Sequence, residues 1–286
     1  MKQTILTACL GLISLGLQAQ SISLAGEWNV ELGKSGSFLA QGKKSRADAK
    51  EAKRAHLPGT IDTNRLGVPP TDLTETTHLT RISAYKGAAR YSRTIEIPKA
   101  WKLKKDQAME LFLERTKPTW VYLDGHLVDS CNFISTPQRY ILPKKIKSGK
   151  HLLEIVVDNS KGVPEQIYGS SHAYTEDTQT NWNGIIGDIR LEVKSEERRV
   201  KKQSSAAEGN ANSNVLDCFK DFHIAGAHFY ANGHPVFLRG KHDAAVWPLT
   251  GHVEMTVDGW MKYLGTCKEY GINHVRFHSW CPPEAA

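Results

Sequence analysis

The sequence predicts a mainly β protein, an antiparallel β-sandwich followed by the first βα units of a (β/α)8 barrel. Three observations predict it. Short alternating stretches punctuated by turn signals fill the first two thirds of the 286 residues. No strand–helix–strand rhythm occurs in that part. Only beyond residue 218 does a helix with one apolar face fall between two strands.

Taken in order, the chain opens with Lys2 and an apolar run over residues 5–17 that is too short to span a bilayer and ends at Ala19-Gln20. A signal peptide at 1–19 and a periplasmic or secreted protein are expected. Leu6-Thr-Ala-Cys9 resembles a lipoprotein box but sits too close to the N-terminus for one. The other cysteines, Cys131, Cys218, Cys267 and Cys281, have neither metal-ligand nor disulfide-framework spacing and are expected as free thiols. The net charge of +7 is modest. Its basic runs, 43–54 and 194–202, lack the interleaved aromatics of a nucleic-acid surface, so no nucleic-acid partner is expected.

A possible helix spans 43–55, and strands then follow one another. Ala88-Ala-Arg-Tyr-Ser-Arg-Thr-Ile-Glu-Ile97 alternates until Pro98. Strands at 109–115 and 120–123 come next, and Asp124-Gly125 folds the latter back onto 126–128 as a two-residue hairpin. Further strands cover 151–157 and 187–193. Together, residues 21–194 make a sandwich large enough to bury its own core. The charged, then small and polar stretch 195–217 reads as a linker. Beyond it, 227–231 and 234–239 flank Asn232-Gly233 as a hairpin. Trp260, Leu264 and Cys267 share a face of a helix over 257–270, Gly271 ends that helix, and 272–277 is the next strand. Eight such barrel units need about 250 residues, and roughly 65 are present in 218–286.

These residues carry a resemblance. Leu24-Ala-Gly-Glu-Trp28, Leu57-Pro-Gly-Thr60, Tyr91-Ser-Arg-Thr-Ile-Glu-Ile-Pro98, Val121-Tyr-Leu-Asp-Gly125 and Trp182-Asn-Gly-Ile-Ile-Gly-Asp-Ile-Arg-Leu191 are similar to the sugar-binding jelly roll of glycoside hydrolase family 2. Asn232-Gly-His-Pro-Val-Phe-Leu-Arg-Gly-Lys-His-Asp243, Pro248-Leu-Thr-Gly251 and Gly271-Ile-Asn-His-Val-Arg-Phe-His278 are similar to the start of that family's barrel. The resemblance covers nearly all of the expected mature chain, and it implies a jelly-roll sandwich, a (β/α)8 barrel and a retaining β-galactosidase or β-glucuronidase type of activity.

Three departures qualify it. The immunoglobulin-like domain usual between jelly roll and barrel has only the linker in its place. Trp247 and Ser279 stand where much of the family has histidine, which leaves the sugar open. The family's acid/base and nucleophile glutamates fall on strands beyond Ala286, so the resemblance assigns no catalytic residue here. A retaining glycosidase needs two carboxyls about 5 Å apart. Glu284, after Pro282-Pro283, reads as a first-turn helix residue and not as one of them.

Candidate substrate contacts are therefore sought at the C-terminal ends of barrel strands. His242 and Asp243, with Lys241, follow the first strand and either bond sugar hydroxyls or form a solvated loop. Arg276 and His278 share one side of the second strand, as a sugar site or as a structural ion pair. Trp247 and Trp280 stack on a sugar or pack as core. In the jelly roll, Asp177 and Asn181 fall where the family sends a loop toward its active site, although Asn181-Trp-Asn-Gly184 is equally a turn with a core tryptophan. His172 and Tyr174 read as ordinary surface aromatics. No cofactor and no metal site is indicated.

The function expected is an exported exo-β-glycosidase acting on an oligosaccharide or glycoside, with this chain inactive alone. Two other readings stay open: a non-catalytic carbohydrate-binding jelly roll, and a product that does not fold past residue 194.

Overall fold

A computed structural model describes residues 20–39, 52–74, 76–195, 221–244 and 246–286. The expected signal peptide and, apart from Ser195, the expected linker lie outside them. The first strands in chain order are β1 (Ser21–Ser23), β2 (Gly26–Gly33), β3 (Lys53–Leu57), β4 (Gly59–Thr60), β5 (Ala88–Ile97) and β6 (Gln107–Thr116). They are followed by β7 (Thr119–Leu123), β8 (His126–Cys131), β9 (Gln138–Ile141), β10 (Gly149–Asp158), a short helix α1 (Glu165–Ser170) and β11 (Gly184–Ser195).

These strands form two antiparallel sheets. One runs β1-β11-β6-β9 with β4 paired to the start of β11, and the other runs β3-β2-β5-β10-β7-β8. The alternation in the sequence explains their contact. Trp28, Val30, Tyr91, Ile95, Val121, Ile155 and Val157 point from the second sheet into one core with Met109, Leu111, Leu113, Ile189 and Leu191 of the first. The chain is mainly β, as the sequence predicts. Asp124 and Gly125 both have positive φ, 51° and 80°, so the β7–β8 hairpin has the turn geometry that matches strand twist.

The outer face of the first sheet is closed differently. Phe112 on β6 lies under the guanidiniums of Arg190, 3.8 Å from its ring centre, and Arg139, at 4.5 Å. Buried Glu110 accepts from Arg139 at 2.6 Å and Lys194 at 3.0 Å, so its carboxylate is paired where water is scarce.

The helix considered over 43–55 is corrected at its C-terminal end. Lys53–Leu57 is strand β3 against β2, with Ala55 and Leu57 buried and their neighbours exposed, a period of two. Its remaining positions, except Ala52, lie outside the described residues.

Beyond residue 220, β12 (Phe222–Ala225), β13 (His228–Ala231) and β14 (His234–Val236) make a three-stranded meander, and β15 (Gly240–Asp243), α2 (Val257–Glu269) and β16 (His274–Phe277) make a strand, crossover helix and parallel strand. Thr256 caps α2 by accepting from Gly259 N–H at 3.1 Å. Gly271, at φ 74°, ends it: Ile272 N–H reaches Cys267 O at 3.0 Å and Gly271 N–H reaches Lys268 O at 2.9 Å. Trp260 and Cys267 are buried as the helical spacing predicts. Among the described residues one βα unit of parallel sheet is present.

Lys241, His242 and Asp243 are not a loop after a strand but the strand itself, because Gly240–Asp243 pairs in register with His274–Phe277. Glu284 lies in a turn and is exposed.

Candidate functional site

The βαβ unit docks on the sandwich through the segment 171–182. Trp247 N–H donates to Thr178 O at 2.9 Å, Thr180 N–H to Gly251 O at 2.7 Å, and Val253 N–H to Gln179 Oε1 at 3.1 Å. Trp182 and Ile186 from the sandwich share a core with Val253, Trp260 and Trp280. Arg115, buried at the end of β6, donates to Cys281 O at 2.8 Å and Pro282 O at 3.3 Å.

This docking gathers polar rings at the carboxyl ends of the two parallel strands. His242 on β15 is directly opposite Arg276 on β16, and Arg276 Nη1 lies 3.4 Å from His242 Nε2. His278, one residue past β16, is held by its N–H donating to Asp243 O at 2.8 Å, and its ring centre is 4.8 Å from that of His242. From the sandwich, His172 brings its ring centre within 4.8 Å of His278. Hydroxyls fix two of the rings: Thr178 Oγ1 is 3.0 Å from His172 Nδ1, and Ser279 Oγ is 3.2 Å from His278 Nδ1. Partial burial, then the neighbouring His278, pulls the His172 pKa below its ordinary value; Asp177 opposes this and His242 adds to it. Among the described residues no three such groups are placed to hold a metal ion.

Asp243 lies beneath this face. It is 4 % exposed, and its Oδ2 accepts from Lys241 Nζ at 3.1 Å and from the Tyr263 hydroxyl of α2. Burial, then the Asp243 carboxylate, pushes Tyr263 up to about 12. Burial pulls Lys241 down, but its bonds to Tyr263 and Asp243 outweigh that and raise it. Asp243 is thus a brace that also accepts the Trp280 Nε1–H on its backbone oxygen at 3.0 Å.

The other sequence candidates separate. Trp280 is buried against Trp260 and Phe277, so it packs as core and offers no face for stacking. Trp247 is half-buried edge-on to Trp260, with its indole N–H buried and unpaired. Asn181 is buried and donates to Asn159 O at 3.0 Å, which makes it a turn residue of the sandwich. Asp177 is exposed, 3.6 Å from His78. Arg276 has no carboxylate partner among the described residues, so the ion-pair alternative for it is not what the fold makes.

His172 is the residue the sequence reading passed over. No local signal marks it, since its importance comes from a contact with a residue more than a hundred positions away. Lys117 was also missed. It is fully buried, donates to Ala173 O, and sits 4.0 Å and 4.6 Å from the ring centres of Tyr174 and Trp182. Burial drives its pKa down to about 7. Both its acceptor and its aromatic partners belong to the segment that carries His172.

No family model matches the sequence, and no curated protein does. Among solved structures, the chain is similar to a β-glucuronidase of an uncultured Clostridium species, with a TM-score of 0.45 and 16 % identity over 63 % of this chain and 30 % of that one. A Faecalibacterium prausnitzii β-glucuronidase gives 0.44 and 17 % over 64 % and 32 %. A GH2 β-galacturonidase of Eisenbergiella tayi bound to galacturonate gives 0.39 and 23 % over 61 % and 24 %. The chain therefore spans about a third or less of those proteins, and scores at this level fix neither its family nor its activity.

Proposed function

We propose that the chain is the sugar-binding portion of an exported retaining exo-β-glycosidase, with a jelly-roll sandwich and the first βα unit of a catalytic barrel. The observation that carries it is the convergence of His172 from the sandwich with His242, Arg276 and His278 at the carboxyl ends of two parallel strands, the place where α/β sheets bind ligands. The ordered family 2 motifs supply the reaction class, and the apolar run after Lys2 supplies export. No described helix is long and apolar enough to cross a membrane.

In this reading His242, His278 and Arg276 bond sugar hydroxyls, and His172 and Asp177 close over the sugar from the sandwich. Asp243 positions His278 through its backbone oxygen. Hydrolysis requires an acid and a nucleophile about 5 Å apart. Asp243 is tied to Lys241 and Tyr263, so it does not serve as either, and residues 1–286 alone are expected to leave nitrophenyl β-glycosides intact. Turnover that disappears when a residue within 1–286 is replaced would overturn that division of labour. The binding role is tested by titrating the chain with monosaccharides while following the histidine ring resonances. Shifts at His242 and His278 are expected, and a chain whose histidines respond to no sugar would refute the reading.

A further inference from the structure

We infer that Lys117 is a positioning residue for this site: from inside the sandwich it holds the turn 171–175 and so sets the His172 ring against His278. The inference rests on the sugar-site reading above and adds to it a residue that touches no ligand.

The turn belongs to no helix or strand, so its backbone groups need partners of another kind. Tyr174 N–H and Thr175 N–H both donate to Ser171 O, at 2.8 and 3.2 Å, and Ala173 N–H donates to Ser171 Oγ at 3.3 Å. Bonds this local make 171–175 one compact unit, so a hold on any part of it reaches His172. The βαβ unit grips it through Ser279, whose Oγ accepts from His172 N–H at 3.3 Å and whose backbone oxygen accepts from the Ser171 hydroxyl at 3.4 Å. The sandwich grips it through Lys117, whose Nζ donates to Ala173 O. His172 thus stands where a hold from each part of the molecule meets.

The base of the sandwich's hold is fixed. Lys117 is the first residue after β6, its backbone oxygen accepts from Gln138 Nε2 at 3.1 Å, and the hydroxyl of Thr116 beside it donates to Gly184 O at 2.7 Å. All three side chains are buried. An amine costs more to bury there than an apolar chain of like size. What the amine adds is a donor for Ala173 O and contact of its charge with the rings of Tyr174 and Trp182. Burial pulls its pKa down to about 7; of the charged groups that face it, Glu176 opposes this and Arg81 and Arg115 add to it. The donor on Ala173 O therefore passes from ammonium to amine near neutral pH, while the Tyr174 hydroxyl, pushed up by burial, keeps its proton.

The test uses the whole chain, Lys117→Met, and the nuclear Overhauser contacts between histidine rings. In the wild type both the His172–His278 and the His242–His278 contacts are expected, since each pair of ring centres is 4.8 Å apart. In a variant that keeps the dispersed amide spectrum, the first contact should fade while the second, which lies within the βαβ unit, keeps its intensity. Survival of the first contact overturns the inference, and so does loss of both, which would make Lys117 a general structural residue. D-galactose and D-glucuronate serve as sugar probes; whichever of them shifts the wild-type rings should bind the variant about tenfold more weakly, as for one lost hydrogen bond. Unchanged affinity would cut the link between Lys117 and the site. If the variant does not fold, the wild type decides: the Ala173 carbonyl carbon and the Lys117 Cε resonances should titrate with one midpoint near 7, and an Ala173 carbonyl that ignores the Lys117 titration overturns the hold. Wild-type rings that respond to neither sugar overturn the sugar-site reading, and the ring contacts still decide whether Lys117 positions His172.

Discussion

At the residue scale, buried charge explains more of this molecule than its motifs do. Arg81 bonds Asp62 through two nitrogens, at 2.9 and 2.6 Å, and Glu176 at 3.2 Å, and so ties the segment after β4 to the one that carries His172. Removing one partner of such a pair leaves an unmatched charge in a dry place. Asp62→Ala is expected to cost about 3–5 kcal/mol in chemical unfolding. Lys117 works in the opposite sense. Its folded pKa of about 7 lies below that of a free lysine, so between pH 7 and about 10 the unfolded chain binds the extra proton and stability rises with pH. Thermal melts of the wild type should climb across that window, and Lys117→Met should flatten the climb; parallel profiles would mean that the folded amine keeps its proton and that burial does not lower its pKa. Neither residue was legible beforehand, because the Lys117 environment is built by Tyr174 and Trp182, far along the chain.

At the element scale, the strands that alternate cleanly were readable and those that do not were missed. Strand β5 occupies 88–97 as its pattern predicts, whereas β9 and β12 escaped notice, being four residues each with too few alternations to register. Two glycines test how the elements meet. A Cβ on Gly184, at φ 154°, would lie 2.3 Å from Gly59 O where β4 pairs with β11, so Gly184→Ala is expected to destabilise by about 3 kcal/mol. Gly271→Ala should cost about 1–2 kcal/mol, since its φ of 74° meets no tight contact and only the backbone preference is lost. Equal losses at the two sites would contradict a steric role for Gly184. The same pairing explains why the motifs Leu57-Pro-Gly-Thr60 and Trp182-Asn-Gly184 are structural: Asn183, wholly buried, donates to Gly87 O at 3.0 Å and Val157 O at 2.9 Å.

At the scale of the whole molecule, the candidate site exists only while the βαβ unit stays docked on the sandwich. Arg115 and the core around Trp260 hold that contact, although Phe222, Ile224 and Leu249 nearby in the chain remain exposed. Arg115→Ala is therefore expected to speed amide exchange in β15, α2 and β16 while β5 and β10 keep their protection. Uniform acceleration across both parts would show that the two unfold together and that the docking is not a separate step.

The sequence by itself determined the β class, most strands of the sandwich, the βαβ unit with its cap glycine, and Arg276 on its second strand, with His278 one residue past the end of that strand. Those features follow from periodicity and turn chemistry, which are local. Only the tertiary structure decided that Trp280 and Asn181 are packing residues, that the Asp243 carboxylate braces Lys241 and Tyr263, and that His172 belongs to the cluster. Each of those outcomes depends on which surfaces meet across the sandwich and the βαβ unit, and a contact between distant segments leaves no periodic trace in either one.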